Sequence, residues 1–139
     1  MSARTKSRKR ALDALYASGL RNVDAVELLN ETAKEVEAHQ NQDAIFDYAE
    51  TLLSGYQQHS AEIDAELASL SDGWALERMP GIDRAILRLG AWEILHNPEV
   101  PNEVAIAEAV ALAGEFSTED SPKFINGVLA RLAKSRQSL

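Results

Sequence analysis

The 139-residue sequence contains no cysteine, which excludes disulfides, thiolate catalysis and cysteine-ligated zinc. No apolar run approaches the roughly 18 residues that a membrane span needs. The charged first residues lack the apolar stretch of a signal peptide, so a cytoplasmic location is expected. Aromatics make up only 6% of the chain, and no strand-like alternation or hairpin signal occurs, which argues against a sheet. Also missing are a Gly-x-x-x-x-Gly-Lys-Ser/Thr phosphate loop and a Gly-x-Ser-x-Gly elbow. Nothing supports nucleophilic catalysis, and the expectation is a protein that is not an enzyme, with no cofactor.

What is present is helical. Hydrophobic residues make up 45% of the chain, enough for one domain of this length to build a core. Ala and Leu dominate, and both rank high in helix propensity. The first helix is expected from about Arg4 to Ser18, with an apolar stripe of Leu12, Leu15 and Tyr16 and a stop at Gly19. A second starts at Asp24, which has capping-box spacing to Glu27, and buries Val26, Leu29, Ala33 and Val36. Ile45, Ala49, Leu52, Tyr56, Ile63, Leu67 and Leu70 mostly keep spacings of three and four, which predicts one helix from about Asp43 to Leu70 that tolerates Gly55. Ser71-Asp72-Gly73 breaks it, and a short turn around Trp74–Arg78 precedes Pro80. A helix from about Ile82 to His96 carries Ile82, Ala85, Ile86, Leu89 and Glu93 down one side, and Pro98 and Pro101 end it. Another runs from about Asn102 to Phe116. The last starts at Ser121, with Pro122 in the favoured first position, and reaches about Lys134. The expected fold is all-α, a single domain over 1–139 made of two packed helical groups at about 1–70 and 74–139.

The net charge of −8 is unevenly distributed. Residues 1–10 carry Arg4, Lys6, Arg8, Lys9 and Arg10 with no acid, and residues 121–139 carry Lys123, Arg131, Lys134 and Arg136 with no acid. All 22 acids lie between. A polyanion would avoid the middle and seek the two ends, if the fold brings them together. Arg4 and Arg8 lie near the line continued by Leu12 and Leu15, so the basic run extends a helix anchored in the core. Cations at a helix N-terminus oppose the macrodipole, and an anion such as a phosphate backbone would relieve this. In projection Lys123, Arg131 and Lys134 fall within an arc of about 80°, and the start of that helix is itself an anion site. Phe124, at the edge of the stripe of Ile125, Val128, Leu129 and Leu132, is either a boundary core residue or a platform for an unpaired base. Asn126-Gly127 reads as tight helix packing. Glu93-x-x-His96 has the spacing of carboxylate-bridged metal sites in helix bundles. No second pair accompanies it, and His39 and His59 lie on other helices without matching carboxylates. A solvated helix end is the preferred reading, and no metal is expected.

Several blocks resemble a known family. Ala11-Leu12-Asp13-Ala14-Leu15-Tyr16 follows a basic stretch. Asp83-Arg84-Ala85-Ile86-Leu87-Arg88 is followed by Trp92-Glu93-Ile94-Leu95. Val100-Pro101, Val104-Ala105-Ile106-Ala107-Glu108-Ala109-Val110 and Asp120-Ser121-Pro122-Lys123-Phe124-Ile125-Asn126-Gly127-Val128-Leu129 come next. In this order they resemble the NusB family of transcription antitermination factors over nearly the whole chain, and Lys123–Leu129 is the most specific block. The resemblance implies about seven helices in two bundles packed at a steep angle. It also implies non-catalytic binding of single-stranded boxA RNA in ribosomal RNA leaders, together with the ribosomal protein called NusE in this role. The pair then modifies RNA polymerase so that it ignores terminators. By resemblance, Arg4, Lys6, Arg8, Lys9 and Arg10 form an arginine-rich RNA-binding motif, and Asp120, Ser121, Lys123 and Phe124 belong to a second RNA-contact region. Tyr16 and Asp83 match positions tied to the adjoining RNA and NusE surfaces. Some members pair with themselves, so monomer and homodimer both stay open. Ser7 stands where the family often has alanine, and Ala107 where it commonly has asparagine. The acidic middle suits a basic partner and equally a solvated surface. The alternative function is a helical protein–protein adaptor with solubilising basic ends.

Overall fold

The structure, a computed structural model, describes residues 2–36 and 42–137. Among these it contains seven α-helices and no strand. They are α1 (Ala3–Arg21), α2 (Ala25–Glu35), α3 (Gln42–Gln58), α4 (Ser60–Leu70), α5 (Gly81–His96), α6 (Asn102–Phe116) and α7 (Ser121–Gln137), with a 3₁₀ turn at Leu76–Arg78. His39, placed on a helix by its sequence context, lies outside the described residues.

Local capping explains several boundaries. The Ser2 hydroxyl accepts from the Thr5 amide and starts α1, and the Asp24 carboxylate accepts from the Glu27 amide and starts α2, satisfying amides that have no partner inside the helix. Gly19 does not end α1. The helix continues to Arg21, and Asn22 ends it in the left-handed region (φ 55°), returning its amide to the Ser18 carbonyl, a common helix stop. The buried face of α1 is Ser7, Arg8, Ala11, Leu12 and Ala14, while Leu15 is half-buried and Tyr16 is exposed. The buried face of α2 is Ala25, Leu28 and Leu29, one step round from the expected stripe.

The helix expected over 43–70 is two helices. A straight helix of that length would be roughly 42 Å long, far longer than the 16-residue α5 it must cover. The chain bends at His59 (φ −122°, ψ 20°), whose amide donates to the Tyr56 carbonyl. α4 then packs on α5 and α7 as well as on α3. Gly55 is needed rather than tolerated, because a Cβ there would lie 2.2 Å from the Trp92 ring.

α5 is the centre of the molecule, packing against α1, α3, α4, α6 and α7. It is buried nearly all round, from Asp83 through Leu95, not on one side only, as befits a helix enclosed by others. One continuous core draws Leu12, Leu29, Leu52, Leu67, Ile86, Leu112 and Leu129 from all seven helices. Ser7, where the resemblance led to alanine, is buried and donates to the Ile45 carbonyl, tying α1 to α3.

Candidate nucleic-acid interface

The five cations at the start of α1 have different fates. Arg8 points into the core and is 6% exposed. Its Nε and Nη2 each donate to Glu93 at 2.9 Å, and its Nη1 donates to Glu108 at 3.1 Å. Tyr48 donates its hydroxyl to the same Glu93 carboxylate, and Thr5 donates to Glu108. Burial alone would lower the Arg8 pKa, but hydrogen bonding to Glu93 and the charges of Glu93 and Glu108 outweigh it and hold the guanidinium charged. Burial, then Glu93, pushes the Tyr48 pKa up to about 12, so the phenol stays a donor. As placed, Arg8 is buried against two carboxylates and offers no open face to a phosphate. Glu93, in turn, is not at a solvated helix end. It is 2% exposed, and both of its oxygens are occupied, which leaves no metal pair with His96.

The other four cations stay at the surface. Arg4 lies over the Tyr48 ring at 3.7 Å and near Glu99 at 3.9 Å. Arg10 lies 5.2 Å from the Phe46 ring. Lys9 pairs with Asp13 at 2.6 Å and sits 4.4 Å from the Phe116 ring centre. Lys6 is exposed. Lys6, Lys9 and Arg10 line one groove together with Asp13, Gln42 and Ile45.

Phe116 ends α6, so Lys9 brings this groove to the α6–α7 corner. The corner is held from inside. Asp83, 2% exposed at the start of α5, accepts from the hydroxyls of Ser117 and Ser121. Ser121 is equally buried. Its hydroxyl serves Asp83, and the Asp120 carbonyl accepts from the Phe124 amide. Asp83 and Ser121 therefore shape the corner and do not lie on its surface. Asp120 and Lys123 are exposed there. Phe124 is half-buried, with its ring edge-to-face to Trp74 at 5.1 Å and 69°. Trp74, 41% exposed, was read only as part of a turn. No local pattern links Trp74 to Phe124, because the two lie far apart in the sequence.

Arg131 and Arg136 of α7 face elsewhere. Arg131 donates to the carbonyl of Leu70, the last residue of α4, at 2.7 Å. Arg136 donates to the Leu95 carbonyl in the last turn of α5 at 3.4 Å. Both place positive charge at helix C-termini, where the dipole favours it. Tyr16 lies about two turns along α1 from Arg8. Its ring approaches Gly81 so closely that a Cβ there would be 2.8 Å away. Leu15, Tyr16, Leu20, Gly81, Arg84 and Arg88 line a second groove between α1 and α5, with Leu20 69% exposed. No helix among the described residues is long and apolar enough to cross a membrane.

Comparison with known proteins agrees with this architecture. A chain from the crystal structure of a plectonemic RNA supercoil superposes with a TM-score of 0.87 at 27% identity, covering 99% of both chains. A chain from the crystal structure of antitermination factors NusB and NusE in complex with dsRNA gives a TM-score of 0.84 at 26% identity, covering 97% of this chain and 98% of that one. The transcription antitermination protein NusB of Nocardioides sp. (strain ATCC BAA-499 / JS614) is 49% identical over 139 residues, covering all of this chain and 99% of that protein. The NusB family model matches residues 5–134, from the basic start of α1 through the corner and most of α7, and the chain belongs to the NusB family.

Proposed function

We propose that this chain is a non-catalytic RNA-binding antitermination factor that takes boxA RNA of ribosomal RNA leaders together with the ribosomal protein NusE, and through that pair acts on RNA polymerase. The observation that carries the reading is the junction at Lys9. It brings the groove of Lys6, Lys9 and Arg10 to Phe116 at the end of α6, next in the chain to the corner that bears Asp120, Lys123 and Phe124, which supports one ligand meeting two distant parts of the sequence. The cations and the N-terminus of α7 attract the phosphate backbone. Phe124, backed by Trp74, offers a ring on which a base stacks. The Asp120 carboxylate repels phosphate but accepts from a base amino or imino group, which gives selectivity. The second groove, with Tyr16 and the exposed Leu20, suits the ribosomal partner. Asp83 supports both surfaces from beneath by fixing the corner. The structural relative that holds NusB and NusE with double-stranded RNA supports the pairing of a protein and an RNA ligand in one assembly.

The test measures dissociation constants for boxA-like and scrambled single strands and for a duplex of the same sequence, with and without NusE, at one fixed salt concentration. Mass is monitored throughout, to separate monomer from homodimer. The expected result is preference for the boxA-like single strand, strengthened by NusE. Phe124→Leu should weaken it by about 1–3 kcal/mol without lowering Tm. Equal, weak retention of every RNA, with NusE or another protein bound, would replace this reading by a helical adaptor.

A further inference from the structure

The break between α3 and α4 brings together three side chains that the RNA surface does not use. His59 occupies the break itself, Glu62 lies in the first turn of α4, and His96 is the last residue of α5. The imidazole rings of His59 and His96 stack at 3.8 Å with 15° between their planes. Glu62 Oε2 lies 3.5 Å from His96 Nε2 and 3.7 Å from His59 Nδ1, and one ligand atom from each of the three lies within 4.8 Å of the others.

No hydrogen bond accounts for this convergence. His96 Nε2 is buried and has no hydrogen-bond partner, although buried polar atoms are almost always paired. Among the described residues Glu62 forms ion pairs only with these two histidines. Arg88, on α5 with His96, is engaged with Asp64 at 3.0 Å, and Arg136 donates to the Leu95 carbonyl. Two imidazoles and one carboxylate are the donor set of a three-ligand, open zinc site. Bond lengths of about 2.0–2.2 Å at tetrahedral angles place adjacent ligand atoms about 3.4 Å apart, close to the 3.5 and 3.7 Å found here. Nearly parallel planes cannot both contain one ion, so binding requires each ring to swing out of the stack by roughly 55° to aim its in-plane lone pair at a common point at tetrahedral angles. Glu62 and His59 are partly exposed, so solvent can supply an entry path and a fourth ligand.

We propose that His59 Nδ1, Glu62 and His96 Nε2 form a binding site for a divalent transition cation of the Zn²⁺ class, which would fasten the α3–α4 break to the end of α5. Imidazole nitrogen with one carboxylate favours Zn²⁺, Ni²⁺ or Cu²⁺ over Mg²⁺ or Ca²⁺. The site is independent of the RNA reading and survives its failure.

The experiment titrates Zn²⁺ into the tag-free, chelator-stripped full chain by calorimetry, with Co²⁺ absorption as a probe of geometry. The expected result is one Zn²⁺ per chain, a Tm that rises with Zn²⁺, and visible Co²⁺ bands of tetrahedral intensity. His59→Ala, His96→Ala and the conservative Glu62→Gln should each weaken binding by at least about tenfold, while circular dichroism confirms the fold. His39→Ala, which removes the third histidine of the sequence, should change nothing. The absence of saturable binding below millimolar Zn²⁺ would overturn the proposal, leaving a histidine–glutamate charge contact only. So would binding that persists in both histidine variants or disappears in His39→Ala.

Discussion

The N-terminal half of α1 and the length of α7 both carry positive charge and no acid, yet the fold uses them differently. In α1 Arg4 and Arg8 share the phase of the apolar stripe, but only Arg8 goes inward, to Glu93 and Glu108, while Arg4, Lys6, Lys9 and Arg10 stay at the surface. In α7 the distal cations Arg131 and Arg136 serve the carbonyl ends of α4 and α5, and Lys123 is left at the α6–α7 corner. A basic run is thus a mixture of charges that hold the fold and charges that face a ligand. The position along the helix and the neighbouring acids separate the two.

The largest expected effect breaks the inward side of that division. Arg8→Ala strands the buried Glu93 carboxylate and should cost about 3–5 kcal/mol in urea unfolding, whereas Lys6→Ala two residues away should leave stability unchanged. The double variant Arg8→Met with Glu93→Leu should recover most of the loss, because removing both charges also removes their desolvation. A small loss for Arg8→Ala would return this residue to the RNA surface.

Next comes the outward side. Replacing Lys6, Lys9 and Arg10 by Ala should lower the log–log salt slope of single-strand binding by about 2, at about 0.7 per lost phosphate contact. Replacing Arg131 and Arg136 should leave the slope in place. Equal slope changes for the two sets would erase the distinction between α1 and α7.

Alkaline titration tests the inward network from its neutral member. The Tyr48 pKa is raised to about 12, above the ordinary value of about 10, because the folded state favours the protonated phenol. The stability it contributes is therefore fully present below about pH 10 and lost as pH rises through about 12. Tyr56 is shifted in the same direction by burial, so wild-type and Tyr48→Phe must be compared. Their Tm difference should narrow across that window, and a constant difference would detach Tyr48 from Glu93.

The smallest effect belongs to the distal cations of α7. Arg131→Ala and Arg136→Ala should each cost only about 0.3–1 kcal/mol, since Arg131 is 44% exposed and a helix-end charge in solvent is screened. Loss of RNA binding in either variant, with stability intact, would move the distal end of α7 into the interface.

Much of this was legible in the sequence. The bounds of α6, the cap at Asp24, the start of α7 and the break after Leu70 follow from local chemistry, since proline, capping side chains and a 3.6-residue period act within a few positions. Even the buried ion pair left a trace. Arg8 continues the line of Leu12 and Leu15, and Glu93 continues that of Ile82, Ala85, Ile86 and Leu89. A charge on an apolar stripe calls for an opposite charge facing it, and the two stripes together point to the pair. The sequence by itself determined an all-helical chain, the family and the two basic ends. The tertiary structure alone decided that the helix over 43–70 must bend at His59, that α5 is enclosed on all sides, and that Asp83 and Ser121 lie beneath the corner. It also decided which cations remain for a ligand. Each of these depends on contacts between residues far apart in sequence, 85 positions for Arg8 and Glu93 and 100 for Arg8 and Glu108, and no local period or propensity specifies which distant face will meet a given side chain.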